Sequence, residues 1–161
     1  MLLQNTGFAV NPDSNNATGD ARDRVLEVLC HRYVREKQHV MRFRQHAGRI
    51  ADDQIRWALL RMAAKEADHV RVIEENIVGL GGTPPTVTAF YCSHDNPWEY
   101  LRSDLDDERR CIAEIAEDKL AIGAEFPGLV ALLDRIEADA TKHREEIRAL
   151  LSDEMRPLWA A

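Results

Sequence analysis

The sequence contains only three cysteines among its 161 residues, Cys30, Cys92 and Cys111, and no two of them form a Cys-x-x-Cys pair. Such an odd, unpaired set argues against a disulfide framework, a zinc knuckle or an iron-tetrathiolate module. Because free cysteine usually behaves as a small hydrophobic residue, we expect these thiols to be buried or idle. A chain of this length has room for one domain and buries enough surface to fold without such cross-links.

Long apolar runs are also missing, since the longest uninterrupted stretches are a few residues and a bilayer span needs roughly 20. The start of the chain, Met1 to Asn5, has neither the basic segment nor the apolar core of a signal peptide. We therefore expect a cytoplasmic protein that crosses no membrane. The net charge is -7 and both signs are interspersed, so no basic stripe could follow a phosphate backbone, and we expect no nucleic-acid partner.

Helical periodicity and helix-ending residues divide the chain into four long helices without a credible strand. We predict helices over residues 20–48, 53–79 and 97–123, and a fourth from a break at 125–128 to Ser152. Gly48 is the expected left-handed closing residue of the first helix, and Gly81-Gly82 ends the second. Residues 1–19 are expected to be a flexible segment and 153–161 a short tail. The sequence thus predicts an all-α, antiparallel four-helix bundle over residues 20–152, with a long crossover between the second and third helices.

Ionisable residues interrupt the apolar stripe of every predicted helix. Residues spaced three and four apart share a helix face, and that face is buried in a bundle. The four stripes read, in chain order, Leu29, Tyr33, Glu36, Val40, Phe43, Ala47; Ile55, Leu59, Met62, Glu66, His69, Ile73, Leu80; Leu101, Leu105, Glu108, Ile112, Ile115, Ile122; and Leu129, Leu133, Ile136, Ala140, His143, Ile147, Leu150. Since the stripes meet around one axis, we expect Glu36, Glu66, His69, Glu108 and His143 to converge.

Three carboxylates and two imidazoles in a dry core are unstable as bare charges, because burial disfavours the charged forms. A divalent cation would resolve this. Oxygen and imidazole donors without thiolate suit iron or manganese, and zinc can occupy the same set. The residues therefore predict a buried metal site without selecting one metal.

Several stretches between residues 25 and 151 resemble the ferritin-like di-iron proteins, and within them the bacterioferritin and rubrerythrin branches. Glu66-Ala67-Asp68-His69, followed by Gly81-Gly82, is similar to the Glu-x-x-His and loop of that family's second helix. Gln45-His46-Ala47 after Glu36, and Leu101-Arg102-Ser103-Asp104-Leu105 before Glu108, are similar to the bacterioferritin signatures of the first and third helices. The resemblance implies a ferritin-like bundle that holds a di-iron centre.

By this resemblance Glu36 and Glu108 are terminal ligands, Glu66 bridges two metals, and His69 and His143 are nitrogen ligands. The fourth helix departs from the pattern, because Ala140 stands where the second bridging glutamate belongs. Hydroxide, water, an external anion, Asp139 or His39 are alternatives for the missing ligand. A mononuclear site of Glu36, Glu66 and His69, holding iron, manganese or zinc, is the simpler arrangement.

Other histidines have no position on a buried stripe or no partner evident in the sequence. His39 is expected on the flank of its stripe, facing a neighbouring helix or solvent, unless it joins the metal site. His31, His46 and His94 are expected to have surface or capping roles. Haem is not expected, because the methionine that follows the second-helix glutamate in bacterioferritins is Ala67 here. The small cysteine count likewise argues against the cysteine-rich iron module of rubrerythrins.

Three functions follow from this interpretation. The first is an iron-dependent oxidoreductase of the ferroxidase or peroxide-reducing type, with dioxygen or peroxide as oxidant. The second is iron storage or buffering in a hollow oligomer, and the third is a ferritin-like scaffold with a degenerate, mononuclear or empty site. A homo-oligomer, dimeric or larger, is expected, and the two helix pairs could also come from two swapped chains.

Overall fold

Four α-helices account for nearly all of the residues that the computed structural model describes, which are 18–88, 93, 94 and 96–154. They are α1 (Thr18–Ala47), α2 (Asp53–Gly79), α3 (Pro97–Ile122) and α4 (Pro127–Glu154). No strand occurs among the described residues, so the predicted all-α four-helix architecture is confirmed. The expected flexible segment and tail, and Cys92 in the crossover, lie wholly or largely outside these residues. Across the described ranges, no helix has an apolar stretch long enough to cross a bilayer.

The starts of α2 and α3 follow from side chains that cap them. An oxygen of Asp52 accepts a hydrogen bond from the backbone N–H of Ile55 at 3.0 Å. The side-chain oxygen of Asn96 accepts from the N–H groups of Trp98 and Glu99, at 3.0 and 3.1 Å, with Pro97 as the first helical residue. These bonds satisfy amides that the first turn of a helix leaves unpaired.

The ends of the first two helices differ from one another. After α2, Gly81 has a φ of 74°, and the N–H groups of Gly81 and Gly82 donate to the carbonyls of Val78 and Ile77, each at 2.8 Å. These two backbone hydrogen bonds form the glycine-dependent helix end that the sequence predicts. The same prediction was wrong for Gly48, which has no positive φ, because its N–H continues the helical pattern by donating to Arg44 at 3.1 Å.

The helices pack as antiparallel neighbours within one chain. Along α1 the partners on α3 run backwards, from Asp118 opposite Arg32 to Asp104 opposite His46. The short connections 48–52 and 123–126 likewise turn α2 against α1 and α4 against α3. In this structure one chain supplies both helix pairs.

Two apolar clusters fill the bundle and leave a polar layer between them. One lies toward the α1 start and α2 end and includes Leu29, Ile73 and Ile115, and the other includes Phe43 and Leu59. The predicted stripes are buried except at three positions, which are half-buried: Leu80, Leu105 and Ile112. On α3 the inward positions are partly taken by other residues instead, namely Asp104, Asp107, Cys111 and Asp118. The polar layer between the clusters contains the candidate site.

Candidate metal centre

The five ionisable residues of the predicted stripes meet in one layer, and none is more than 7% exposed. Glu66 lies at the centre, with Oε2 at 2.8 Å from Nδ1 of His69 and Oε1 at 2.9 Å from Nδ1 of His143. Oε2 of Glu36 is 3.4 Å from the same His69 nitrogen, and Oε1 of Glu108 is 3.7 Å from that of His143. The structure thus brings together the residues that the sequence singled out; their role as metal ligands stays a prediction.

The helices explain this convergence. Glu66 and His69 are three residues apart on α2, so their side chains leave the same face of the helix. Their apolar neighbours on that face, Met62 and Ile73, are both buried, one in each apolar cluster. Because the helix face is buried on both sides of Glu66 and His69, these two side chains cannot reach solvent. Their hydrogen-bonding or metal partners must therefore lie inside the bundle.

Three overlapping groups of donor atoms lie in this layer. Donor atoms of Glu36, Glu66 and His69 all lie within 4.8 Å of one another, as do those of His39, Glu66 and Glu108, and those of Glu36, His39 and Cys111. Glu66 is common to the first two groups, and a carboxylate has two oxygens. The layer therefore has the donor atoms for a metal site, and the number of ions it holds stays a prediction.

Unsatisfied polar atoms give an independent reason to place a cation here. Buried side-chain atoms without a well-directed hydrogen bond include five in this layer: Glu36 Oε1, both ring nitrogens of His39, Glu108 Oε2 and His143 Nδ1. Buried oxygens and nitrogens without partners cost roughly 1–3 kcal/mol each. A divalent ion accepts lone pairs from both carboxylate oxygens and neutral imidazoles, so it would satisfy these atoms together.

Without a metal, protons are shared between the carboxylates and the imidazoles. Burial, together with the neighbouring Glu66, raises the pKa of Glu36 to about 7. Although burial opposes it, hydrogen bonding to Glu36 and Glu66 raises the pKa of His69 to about 10, and the carboxylates of Glu108 and Glu66 raise that of His143 to about 9. The pKa of Glu66 falls well below its usual value, because the two imidazoles outweigh its burial. A metal must therefore displace protons from this layer.

Asp139 does not fill the place of the missing glutamate. Ala140 is buried in an apolar cluster, while the neighbouring carboxylate of Asp139 lies outside the layer, with Oδ2 at 3.2 Å from Nε2 of His69. The same carboxylate is 3.2 Å from the ammonium of Lys65 and 3.0 Å from that of Lys142. A carboxylate on the far nitrogen of a histidine orients the ring and fixes its tautomer. In this structure Asp139 thus lies on the outer nitrogen of His69, and its role as an alternative ligand stays a prediction.

His39 is buried and faces a neighbouring helix, α3, which is one of the two positions expected for it; it does not face solvent. Its Nε2 is 2.8 Å from Oδ2 of Asp107. Although burial opposes it, hydrogen bonding to the carboxylate of Asp107 and the charges of Glu108 and Glu36 raise the pKa of His39 to about 9. His39 is therefore part of the polar layer, on the side formed by α1 and α3.

The expectation of a surface or capping role was wrong for His46. Its side chain is fully buried, Nδ1 lies 2.9 Å from Oδ2 of the fully buried Asp104, and its ring centroid is 4.6 Å from that of Tyr100. The seven-residue spacing from His39 to His46 and the three-residue spacing from Asp104 to Asp107 were the available signals. These two spacings differ, so the facing pairs become evident only once the helix pairing is known. His31, in contrast, is exposed as expected.

A fully buried arginine lies beside the layer. The guanidinium of Arg32 donates to Asp118, with Nε–Oδ2 at 2.8 Å, and to the thiol of Cys111 at 3.3 Å, and it lies 3.6 Å from Oε1 of Glu36. Burial raises the pKa of Cys111, so this sulfur stays a thiol. Cys30 and Cys111 are both free, and Cys111 is buried. Sequence reasoning missed Arg32, although its position four residues before Glu36 places it on the same face.

A cavity of about 250 Å³ lies between α2 and α4, and His69 is one of its lining residues. Its other lining residues are mostly charged and lie on both helices: Lys65, Asp68, Arg135, Asp139 and Lys142, with Val72, Leu132 and Ala138 between them. The centre thus borders this cavity at His69.

Comparison of the sequence with protein-family profiles and with curated proteins finds no significant match. Solved structures do match the fold. A ferritin-like, diiron-carboxylate protein from Bacillus anthracis is 24% identical with a TM-score of 0.71, over 81% of this chain and 97% of the other. The dodecameric thioferritin of Bacteroides fragilis is 16% identical, TM-score 0.76, over 84% and 88%. A Desulfovibrio desulfuricans bacterioferritin with a diiron site is 21% identical, TM-score 0.74, over 86% and 84%.

Proposed function

We propose that this protein, whose chain has the ferritin-like fold, binds two iron ions at Glu36, Glu66, His69, Glu108 and His143 and oxidises them with dioxygen or peroxide. The observation that carries the proposal is the pair of donor groups that share Glu66 inside a layer with unsatisfied oxygens and nitrogens. A structural layer with no ligand would be expected to satisfy its own polar atoms.

The protein would contribute binding, charge and exclusion of water. When bound, two ferrous ions supply the two electrons that, with two protons, convert one peroxide into two waters. Glu36, Glu66 and Glu108 would offset the positive charge that grows on oxidation. A hydrogen bond from Nε2–H of His69 to the carboxylate of Asp139 would keep Nδ1 of His69 directed inward. Three carboxylates against two divalent ions leave one positive charge, which favours an anionic or polarisable oxidant beside them.

The cavity at His69 gives a small oxidant a way to the layer. Dioxygen and hydrogen peroxide are uncharged and fit easily within about 250 Å³. Three cationic side chains, Lys65, Arg135 and Lys142, and two carboxylates, Asp68 and Asp139, surround this opening. Their charges nearly cancel, so the opening would present little electrostatic barrier to a neutral oxidant.

Iron storage is the second candidate, and the neighbouring structures favour it. One neighbour is described as a dodecamer and another as a bacterioferritin. We infer that this chain also assembles with copies of itself. Storage requires a hollow oligomer, so the measurement is the mass of the native protein together with its iron content. Many iron atoms per chain in a large assembly would favour storage, whereas about two per chain would favour a purely catalytic centre.

The oxidoreductase proposal is tested with protein loaded with ferrous iron without oxygen. Wild-type protein should bind about two ions per chain and then consume dioxygen or peroxide, with both activities lost in Glu66→Ala. Glu75→Ala is the matched control, because Glu75 lies on the same helix but is exposed and pairs only with Arg71 among the described ion pairs. Manganese and zinc loading in parallel would show which metal supports turnover. The proposal fails if wild type and Glu66→Ala consume oxidant at the same rate.

A further inference from the structure

The centre contains one histidine that the proposed ligand set does not use. His39 is 2% exposed and lies three residues after Glu36, just as His69 lies three residues after Glu66. Helices α1 and α2 therefore present the same pair of residue types to the layer. The other two helices each contribute one member of the proposed ligand set, Glu108 from α3 and His143 from α4.

In both pairs, an aspartate carboxylate contacts the histidine nitrogen Nε2. Nε2 of His69 lies 3.2 Å from Asp139, and Nε2 of His39 lies 2.8 Å from Asp107. Asp107 is itself held by three arginines, with Nη2 of Arg35 at 3.4 Å, Nη2 of Arg110 at 2.7 Å and Nη1 of Arg42 in contact. An outer carboxylate of this kind fixes the ring and its tautomer when the other nitrogen binds a metal.

Both ring nitrogens of His39 are buried without a well-directed hydrogen bond. Nε2 has the carboxylate of Asp107 beside it at 2.8 Å, so Nδ1 is the nitrogen left for another ligand. A ring nitrogen of His39 lies within 4.8 Å of carboxylate oxygens of Glu66 and Glu108, which themselves lie within that distance of one another. On α4, Ala140 offers no donor, so besides the shared Glu66 each side of the layer has one glutamate and one histidine, Glu36 with His69 and Glu108 with His143. A ring nitrogen of His39 is a further donor beside Glu108.

We propose that His39 is a sixth metal ligand, which binds the ion held by Glu66 and Glu108 through Nδ1, with Asp107 as the positioning residue behind it. This inference rests on the proposed function, because it requires that the layer bind metal. It assigns three carboxylates and three imidazoles to two ions. A neutral imidazole in place of a fourth carboxylate preserves the excess positive charge of the centre, so it retains affinity for an anion.

The test counts metal-bound imidazoles directly. Protein labelled with ¹⁵N in its histidine rings is titrated with Zn²⁺, which is diamagnetic and suits the same donors. Three ring nitrogens should move to the metal-bound range in wild type, and only two in His39→Ala. His46→Ala is the matched control, since His46 is also buried on α1 beside an aspartate of α3 but belongs to neither donor group. The His46→Ala variant should keep all three metal-bound ring nitrogens.

The same samples give an affinity readout by competition with a chelator. Loss of a ligand should weaken binding of one ion by more than the roughly 10- to 100-fold that loss of an outer partner costs. Circular dichroism and thermal melting check the fold of each variant, and His39→Gln replaces His39→Ala if that variant does not fold. The proposal is overturned if wild type shows only two bound nitrogens, or if the His39 variants bind both ions as tightly as His46→Ala. No bound Zn²⁺ or Fe²⁺ in wild type would instead overturn the proposed function itself.

Discussion

Asp139 and His69 are joined by a 3.2 Å contact between Oδ2 and Nε2, while the other ring nitrogen, Nδ1, lies 2.8 Å from Glu66. The aspartate is in turn held by Lys65 and Lys142 at the surface of the bundle. A proton on Nε2 would donate to Asp139 and leave the lone pair of Nδ1 for a metal. The contact therefore couples surface charges to the geometry of the buried layer.

Asp139→Asn should weaken metal binding about 10- to 100-fold without unfolding the bundle, because His69 loses the charge that orients it. Chelator competition with Zn²⁺ or Fe²⁺ measures the change. Asp134→Asn is the control, since Asp134 is an exposed residue of the same helix that pairs with Lys119. Equal affinities for the two variants would show that Asp139 has no role in the centre.

Metal binding should tighten as the pH rises from about 7 to about 9. The pKa of His69 is raised to about 10 and that of His143 to about 9, so the metal-free protein holds protons that an ion must displace. The raised pKa values stabilise the metal-free fold below about pH 6.5, and this contribution is lost as the pH rises through about 9 to 10. Calorimetry in buffers of different ionisation enthalpy counts the released protons. An affinity independent of pH over this range would contradict the prediction.

Ala140→Glu should destabilise the metal-free protein by about 1–3 kcal/mol, because a larger side chain enters a packed position and carries a buried carboxyl group. Added Zn²⁺ should stabilise this variant more than it stabilises wild type, since the new carboxylate lies one turn before His143 on α4. Urea unfolding with and without the ion measures both effects. Ala131→Glu, at an exposed position of α4, should stay within about 0.5 kcal/mol of wild type.

Arg32→Met should cost about 3–5 kcal/mol in the free energy of unfolding, because Asp118 is left largely buried without its cation. Arg24→Met, two turns earlier on α1, should cost no more than about 1 kcal/mol, because Arg24 is about half exposed and its carboxylate partner Glu125 is 4.0 Å away. Urea unfolding of the two variants makes the comparison, and a difference below about 1 kcal/mol would show that Arg32 is not a structural charge.

The bundle and the convergence of Glu36, Glu66 and His143 could be predicted because helical periodicity determines which residues are buried together. Polar residues within an apolar stripe are conspicuous. The pairs His46–Asp104 and His39–Asp107 could not be predicted in the same way, because each depends on how α1 lies against α3, two helices that are not consecutive in the chain. On α3, aspartates take positions next to the predicted stripe, and no single-helix pattern separates them from surface charges.

The buried polar pairs between α1 and α3 also determine how these two helices can slide past one another. Arg32, His39 and His46 follow at intervals of seven residues, and each faces an aspartate of α3: Asp118, Asp107 and Asp104. A shift by one turn would place all three opposite the wrong residues and leave charges unpaired in the interior. Apolar packing alone tolerates such slippage far better than paired charges do. The helices are thus held in a single axial register before any metal is bound, and the donor atoms meet at one height in the bundle.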